Sequence, residues 1–327
     1  MTTSLPPPSA ELISEKVASA VREGLSSRPR RLPPWLFYDQ AGSRLFDRVT
    51  ALPEYYLTRT ERAIFLEFQD QILDCASEGA SLSLAELGAG SADKTRLLLA
   101  AAVARQGRVV YEPVDVSPSA LAAARRRIET EIPGVTVTPR VMDYTNGLKF
   151  SPALSGERRL VLYIGSSIGN FDPADAARLL RRVRTTLAPG DALLLGVDLV
   201  KDEPTLLAAY DDAAGVTAAF NRNLLARLNR ELAADFNPRA FAHRALWNAA
   251  QSRIEMHLES RVAQTVLLPA LDLRVQFAPA QRIHTENSYK YRPGQPQVML
   301  LDAGFTPAAT WTDAQGWFAV CLARVAA

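Results

Sequence analysis

Apolar positions in this chain follow two rhythms. Between about 61 and 198, short apolar runs alternate with stretches of helical period. The run over 82–87 predicts a buried strand, Gly88 and Gly90 turn the chain, and Leu97, Leu98 and Leu99 lie in the helix that follows. The alternation then repeats, with strands expected over 109–116, 135–142, 160–164 and 192–197 and helices over 61–77, 117–131 and 173–187. Ser117 before Pro118 is an N-cap and first-turn pair. Strands alternating with helices give a parallel sheet with right-handed crossovers, so the fold class is α/β, a Rossmann-like doubly wound sheet.

Outside that region the rhythm changes. Residues 1–9 read as a loose tail, and 11–26 as a helix with Leu12, Ile13, Val17, Ala20 and Val21 near helical spacing. A basic, proline-bearing loop spans 28–34, and an aromatic-rich segment leads from Trp35 to Glu61. After Val200 come two helical stretches, 203–212 and 216–233, then two long β-like runs, 252–268 and 273–286. This block is no further βα repeat, so it is expected to be an inserted α+β domain beside the sheet. A helix over 297–303 and strands over 310–312 and 317–324, with Gly316 as a turn, complete the chain.

Composition narrows the function. The length of 327 residues suggests about two domains, and 48% apolar residues suffice for a sizeable core. A formal net charge of +2 argues against binding nucleic acid by phosphate neutralisation. The run Arg125-Arg126-Arg127 lies on an amphipathic helix and reads as a solvated face. Cys75 and Cys321 are far apart, and His243, His257 and His284 form no metal motif, so no metal is expected. With no 18-residue apolar span and no signal-peptide pattern, the expectation is a cytoplasmic protein without membrane association.

The chemistry-bearing positions lie at the expected strand ends, where open α/β sheets bind ligands. Asp93 stands where a dinucleotide fingerprint needs its third glycine. That disfavours NAD and favours a nucleoside without a pyrophosphate, S-adenosylmethionine above all. Asp115 could accept from ribose hydroxyls and Asp143 from an adenine amino group, although a strand-end Asp is commonly a turn former. Glu112 competes with Asp115 but falls mid-strand. Asn170 could meet an amine and a carboxylate with its two amide atoms, or cap the next helix. Glu286 and Ser288, two apart in an extended run, share a face and could hold the two nitrogens of an imidazole. A polar turn is the plainer alternative.

Several segments together resemble a known family. They are Tyr38-Asp39-Gln40-Ala41-Gly42-Ser43, Leu52-Pro53-Glu54-Tyr55-Tyr56-Leu57-Thr58-Arg59, Glu86-Leu87-Gly88-Ala89-Gly90, the stretch from Ile164 to Asn170, Tyr210-Asp211-Asp212-Ala213-Ala214-Gly215-Val216-Thr217, and Thr285-Glu286-Asn287-Ser288-Tyr289-Lys290. From about Arg31 onward the chain resembles the histidine-specific, S-adenosylmethionine-dependent Nα-methyltransferases of ergothioneine biosynthesis.

The resemblance implies a class I methyltransferase sheet closed by an antiparallel hairpin. It implies three methyl transfers to the α-amine of L-histidine, giving hercynine, or the same chemistry on another amino acid or amine. S-adenosylmethionine is the implied cofactor, leaving S-adenosylhomocysteine. Gly88, Gly90, Lys94, Asp115, Asp143 and Tyr144 are then expected around it. Asn170 and Tyr210 would hold the substrate carboxylate, with Asn170 and Gly165 against the amine. Glu286 and Ser288 would read the imidazole with help from Tyr55, and Tyr38, Phe46 and Met256 would line the pocket. Asn170 and Tyr38 are the expected catalytic residues. Segments 1–60 and 199–285 are assigned to substrate binding, 61–198 and 286–327 to the cofactor. The expected partner is free histidine, and the expected state a monomer.

Overall fold

A computed structural model describes residues 10–152 and 156–326; the expected tail over 1–9 lies outside the described residues. Along the chain come α1 (Ala10–Ser26), β1 (Arg30–Arg31), α2 (Gln40–Thr50), α3 (Tyr56–Ser77), β2 (Ser81–Leu87), α4 (Thr95–Gln106), β3 (Val109–Asp115) and α5 (Pro118–Glu131). Then follow β4 (Val135–Val137), β5 (Arg140–Val141), β6 (Glu157–Tyr163), α6 (Pro173–Thr185), β7 (Ala192–Asp198), α7 (Glu203–Tyr210) and α8 (Val216–Leu232). The last are β8 (Phe241–Asn248), β9 (Arg253–Ser260), β10 (Gln264–Leu268), β11 (Leu273–Phe277), β12 (Arg282–Tyr289), α9 (Gln295–Asp302), β13 (Thr306–Thr312) and β14 (Phe318–Arg324). Contacts divide these elements into two units. One joins the segment through Tyr55 to Asp202–Ser288, and the other joins Tyr56–Lys201 to the stretch from Tyr289 onward.

The second unit is the doubly wound sheet, in the order β13-β14-β7-β6-β2-β3-β4 with β5 beside β3. β7, β6, β2, β3 and β4 run parallel, and the β13–β14 hairpin closes the β7 edge antiparallel. Alternation of side chains sorts the strands onto two cores. Leu160 and Leu162 pack on one face with Ile64, Leu98 and Ile128. Val161 and Tyr163 pack on the other with Leu180, Val183 and Leu300. The Ser117 hydroxyl caps α5 by accepting from Ala120 N at 3.3 Å, with Pro118 in the first turn. The expected third strand is broken into β4 and β5 at Pro139, whose nitrogen has no hydrogen to give the ladder.

Strand order reverses between β2 and β6. The chain builds outward through β3 and β4 on one side, then returns to build β6 and β7 on the other. Such a switch point opens a crevice at the carboxyl ends of the two strands, where a ligand can lie. Beyond β7, Leu199 bridges Tyr291 in parallel. Val200 N donates to Tyr291 O and Tyr291 N to Asp198 O, each at 2.9 Å.

The first unit is α+β. Its sheet runs β1-β12-β9-β8, with β8 and β9 antiparallel and the two-residue β1 parallel to β12. β10 and β11 form a separate hairpin. The runs expected over 252–268 and 273–286 are thus two strands each, β9 with β10 and β11 with β12, and β8 and α2 were not legible from periodicity. α2 starts where Asp39 caps it by accepting from Gly42 N at 2.6 Å.

Candidate active site

In the sheet unit, the turn after β2 carries Gly88 and Gly90, both with positive φ, at 69° and 51°. A side chain at either would be strained, and a Cβ on Gly88 would come 3.4 Å from the Tyr144 hydroxyl. Gly90 N donates to the Asp115 carboxylate at 3.0 Å, and Ser117 N donates to its other oxygen at 2.9 Å. Burial raises the Asp115 pKa, with the backbone N–H groups pulling the other way. Each Asp115 oxygen retains capacity to accept from a ligand hydroxyl. Asp143 forms an Asx turn. It accepts from Thr145 N at 3.0 Å, Thr145 Oγ1 at 2.5 Å and Asn146 Nδ2 at 2.9 Å. The turn-forming role is therefore present whatever else Asp143 does. Glu112, the competitor, pairs with Arg140 and accepts from Ser151 N, which is a structural role.

The turn after β6 lies across the switch point from the glycine loop. Gly165 has φ 77° and Ser166 φ 60°. Ser166 Oγ accepts from Asp198 N at 2.9 Å, holding the turn against β7. Asn170 ends a single 3-10 turn, Ser167–Asn170, and is partly exposed. Its carboxamide has no hydrogen-bond partner among the described residues, and Asp172, not Asn170, occupies the N-cap of α6. The capping alternative is thereby removed.

The same unit contains a buried charge group that sequence reasoning missed. Glu61, on α3, has no exposed side-chain surface and pairs with Lys94. Its oxygens accept from Gly165 N at 2.9 and 3.0 Å. Beside it, Glu86 of β2 accepts from Tyr111 and Thr95 hydroxyls. Burial pushes the Glu86 pKa up to about 7 despite those bonds.

The α+β unit gathers the other expected residues. An edge-to-face series links Tyr38 to Phe46 at 5.7 Å between ring centroids, Phe46 to Tyr55 at 6.2 Å and Tyr55 to Tyr210 at 6.2 Å. The Tyr210 hydroxyl then bonds Ser288 Oγ at 2.7 Å. Glu286 and Ser288 are two apart on β12 and largely buried, and Met256 is buried on neighbouring β9. The carbonyl of Met256 accepts from Thr285 Oγ1 at 3.0 Å, which fixes β12 against β9.

Behind Tyr210 lies a second missed group. His243 reaches the Tyr210 carbonyl through Nε2 at 2.8 Å, and Asn221 Nδ2 reaches His243 Nδ1 at 2.8 Å. An amide nitrogen only donates and a carbonyl only accepts, so Nδ1 is bare and Nε2 carries the proton. Burial lowers the His243 pKa, in keeping with that neutral ring.

Among the described residues no group of three or more His, Cys, Asp and Glu is placed to hold a metal ion, and no helix is long and apolar enough to cross a membrane.

Comparison with known proteins adds to this geometry. Residues 17–325 match the family model described as histidine-specific methyltransferase, S-adenosylmethionine-dependent. The chain is 46% identical to a histidine N-alpha-methyltransferase of Mycolicibacterium smegmatis, covering 96% of each chain. It is 44% identical to the protein of the same name from Mycobacterium tuberculosis, covering 93% of each. It is also 30% identical to ergothioneine biosynthesis protein 1 of Neurospora crassa, over 87% of this chain and 32% of that protein.

Proposed function

The chain belongs to the histidine-specific, S-adenosylmethionine-dependent methyltransferases, and on that footing we propose that it adds three methyl groups to the α-amine of L-histidine, giving hercynine for ergothioneine biosynthesis. The observation that carries the substrate assignment is the placement of Glu286 and Ser288 on one strand, with Ser288 bonded to Tyr210. A carboxylate beside a hydroxyl complements the two nitrogens of an imidazole, one donating and one able to accept.

S-adenosylmethionine supplies an electrophilic methyl group on a sulfonium centre. The residues at the switch point suit such a ligand. Gly88 and Gly90 leave room for close approach, Asp115 offers carboxylate oxygens to ribose hydroxyls, and Lys94 offers an ammonium to a carboxylate. Asp143 and Tyr144 are assigned to the adenine end. Asn170 presents an amide oxygen to the substrate amine and an amide nitrogen to its carboxylate, beside Gly165.

Methylation of an amine requires its lone pair, so the acceptor must be unprotonated. Asn170 and Tyr38 orient the amine, and the proton passes to water. Orientation supplies most of the acceleration in a displacement of this kind. The last transfer ends with no N–H to hold. Specificity must therefore reside in the carboxylate contacts of Asn170 and Tyr210 and the imidazole contacts of Glu286, Ser288 and Tyr55. Phe46 offers an aromatic face to the growing cation, worth about 1 kcal/mol, and Met256 an apolar wall.

The test is mass spectrometry of the purified protein with S-adenosylmethionine and all twenty amino acids. A gain of three methyl groups on histidine alone is expected. Methylation of another amino acid would overturn the substrate assignment while leaving the chemistry.

A further inference from the structure

The buried carboxylate of Glu61 has no role in the reading above. A carboxylate wholly removed from water is costly, and an apolar side chain of similar size would fill the same space more favourably. The fold nevertheless makes room for it. A Cβ on Gly196, inside the inner strand β7, would stand 2.1 Å from Glu61 Oε1 and 3.2 Å from Ile164 Cα. The strand therefore needs a glycine where the carboxylate sits.

Glu61 joins the two turns that flank the switch point. Lys94 comes from the end of the glycine loop after β2, and Gly165 N from the turn after β6. Within the pair, the Lys94 side chain keeps 19% of its surface exposed and Glu61 keeps none. Of the two partners only the lysine side chain reaches solvent, while the carboxylate is wholly buried. Lys94 Nζ also lies 3.1 Å from the place a Gly165 side chain would begin, so the ammonium stands directly against that turn.

A lysine ammonium sits on a flexible four-carbon stem, and ordering it costs side-chain entropy. A fixed counter-charge meets that cost before a ligand arrives. We propose that Glu61 is a positioning residue of the cofactor site, aiming the Lys94 ammonium at the α-amino-acid end of S-adenosylmethionine while it pins the Gly165 turn beside that ammonium. The inference rests on the cofactor assignment made above.

The test uses two ligands that share adenosine and differ at that end. S-adenosylhomocysteine carries the α-amino and α-carboxylate groups, whereas 5′-methylthioadenosine lacks both. Calorimetric titration of the full chain with each should separate positioning from general damage. Glu61→Gln keeps the shape and can still accept from Gly165 N, but loses the charge. It should weaken S-adenosylhomocysteine on the order of 10- to 100-fold and leave 5′-methylthioadenosine within about twofold. Lys94→Met should show the same selectivity, and the double variant should bind no more weakly than Lys94→Met alone. Gly196→Ala, which crowds the carboxylate without removing its charge, should move affinity in the same direction.

Unchanged or tighter S-adenosylhomocysteine binding by Glu61→Gln would overturn the proposal, as would equal loss of both ligands in a variant whose melting temperature is preserved. If Glu61→Gln does not fold, Gly196→Ala decides by the same ratio of affinities, with Lys94→Met as the reference for complete loss of the ammonium. Failure of the unaltered chain to bind S-adenosylhomocysteine would instead overturn the cofactor assignment beneath it.

Discussion

The Lys290 ammonium stands 2.8 Å from the Asp198 carboxylate, and neither side chain has any exposed surface. The same carboxylate receives Lys201 Nζ at 2.6 Å and the Tyr56 hydroxyl at 2.7 Å. One aspartate at the end of β7 thus answers two lysines. Removing its charge strands both cations in a dry site. Asp198→Asn should cost about 3–5 kcal/mol of unfolding free energy, measured by urea denaturation. Adding Lys290→Met to that variant should recover part of the loss, because it deletes one of the unpaired charges.

Glu286 is the second test point. Loss of a charged acceptor for an imidazole N–H should lower kcat/KM for histidine by about 1.5–3 kcal/mol, roughly 10- to 150-fold. Steady-state kinetics of Glu286→Ala should show this, with S-adenosylmethionine affinity unchanged. Histidine kinetics equal to those of the unaltered chain would remove Glu286 from the recognition set.

The hydroxyls of Tyr210 and Ser288 bond to each other at 2.7 Å, so their effects on histidine binding should not add. A double-mutant cycle of Tyr210→Phe and Ser288→Ala is expected to return a coupling of about 0.5–1.5 kcal/mol. Additivity within error would mean that the two hydroxyls act separately.

Glu86 makes stability fall with rising pH. Its carboxyl has a pKa raised from 4.5 to about 7 in the fold, so the folded state holds the proton more tightly than the unfolded chain. No penalty exists below about 4.5; it builds as pH rises from there to about 7 and is constant above. Glu86→Gln can still accept from Tyr111 and Thr95. Its melting temperature should match that of the unaltered chain near pH 5 and exceed it near pH 8.

His257 acts in the opposite direction. Burial, aided by the charge of His284 and opposed by Glu255, lowers its pKa from 6.5 to about 4. The unfolded chain therefore takes up the proton first, and the contribution present above pH 6.5 is lost as pH falls toward 4. His257→Gln should flatten the dependence of the urea midpoint between pH 7 and 5. An unaltered slope would assign the acid sensitivity elsewhere.

The parallel sheet could be read from the chain because each of its strands is a short apolar run bounded by turn residues. β2 and β7 are buried almost throughout, so nothing interrupts their hydrophobicity. β8 escaped notice because His243 and Arg244 fall where alternation would be read, and its later residues are half-buried on both faces. The glycine loop, Asp115, Asn170 and the Glu286–Ser288 pair were visible because they stand at turns or share a strand face. Glu61, Asp198 and Asn221 were not. Each is a polar residue inside a helix or strand whose burial depends on partners distant in sequence, such as Lys94 for Glu61 and His243 for Asn221. No local pattern encodes such a meeting. The glycine at 196 was the one available hint, since a glycine inside a strand marks a close approach.

Backbone on either side of the insertion lies side by side, zipped by the Leu199–Tyr291 bridge and its two flanking hydrogen bonds. Adjacent ends make the intervening stretch a replaceable cassette, since residues can be exchanged there without shifting the register of the sheet they leave and rejoin. Glu286, Ser288, Tyr210 and Met256 all lie on that cassette, while Lys94 and Asp115 do not. The same stretch folds as one unit with the N-terminal segment that carries Tyr38, Phe46 and Tyr55, so an exchange meant to change the acceptor would have to move both pieces together while the sheet that holds Lys94 and Asp115 stays.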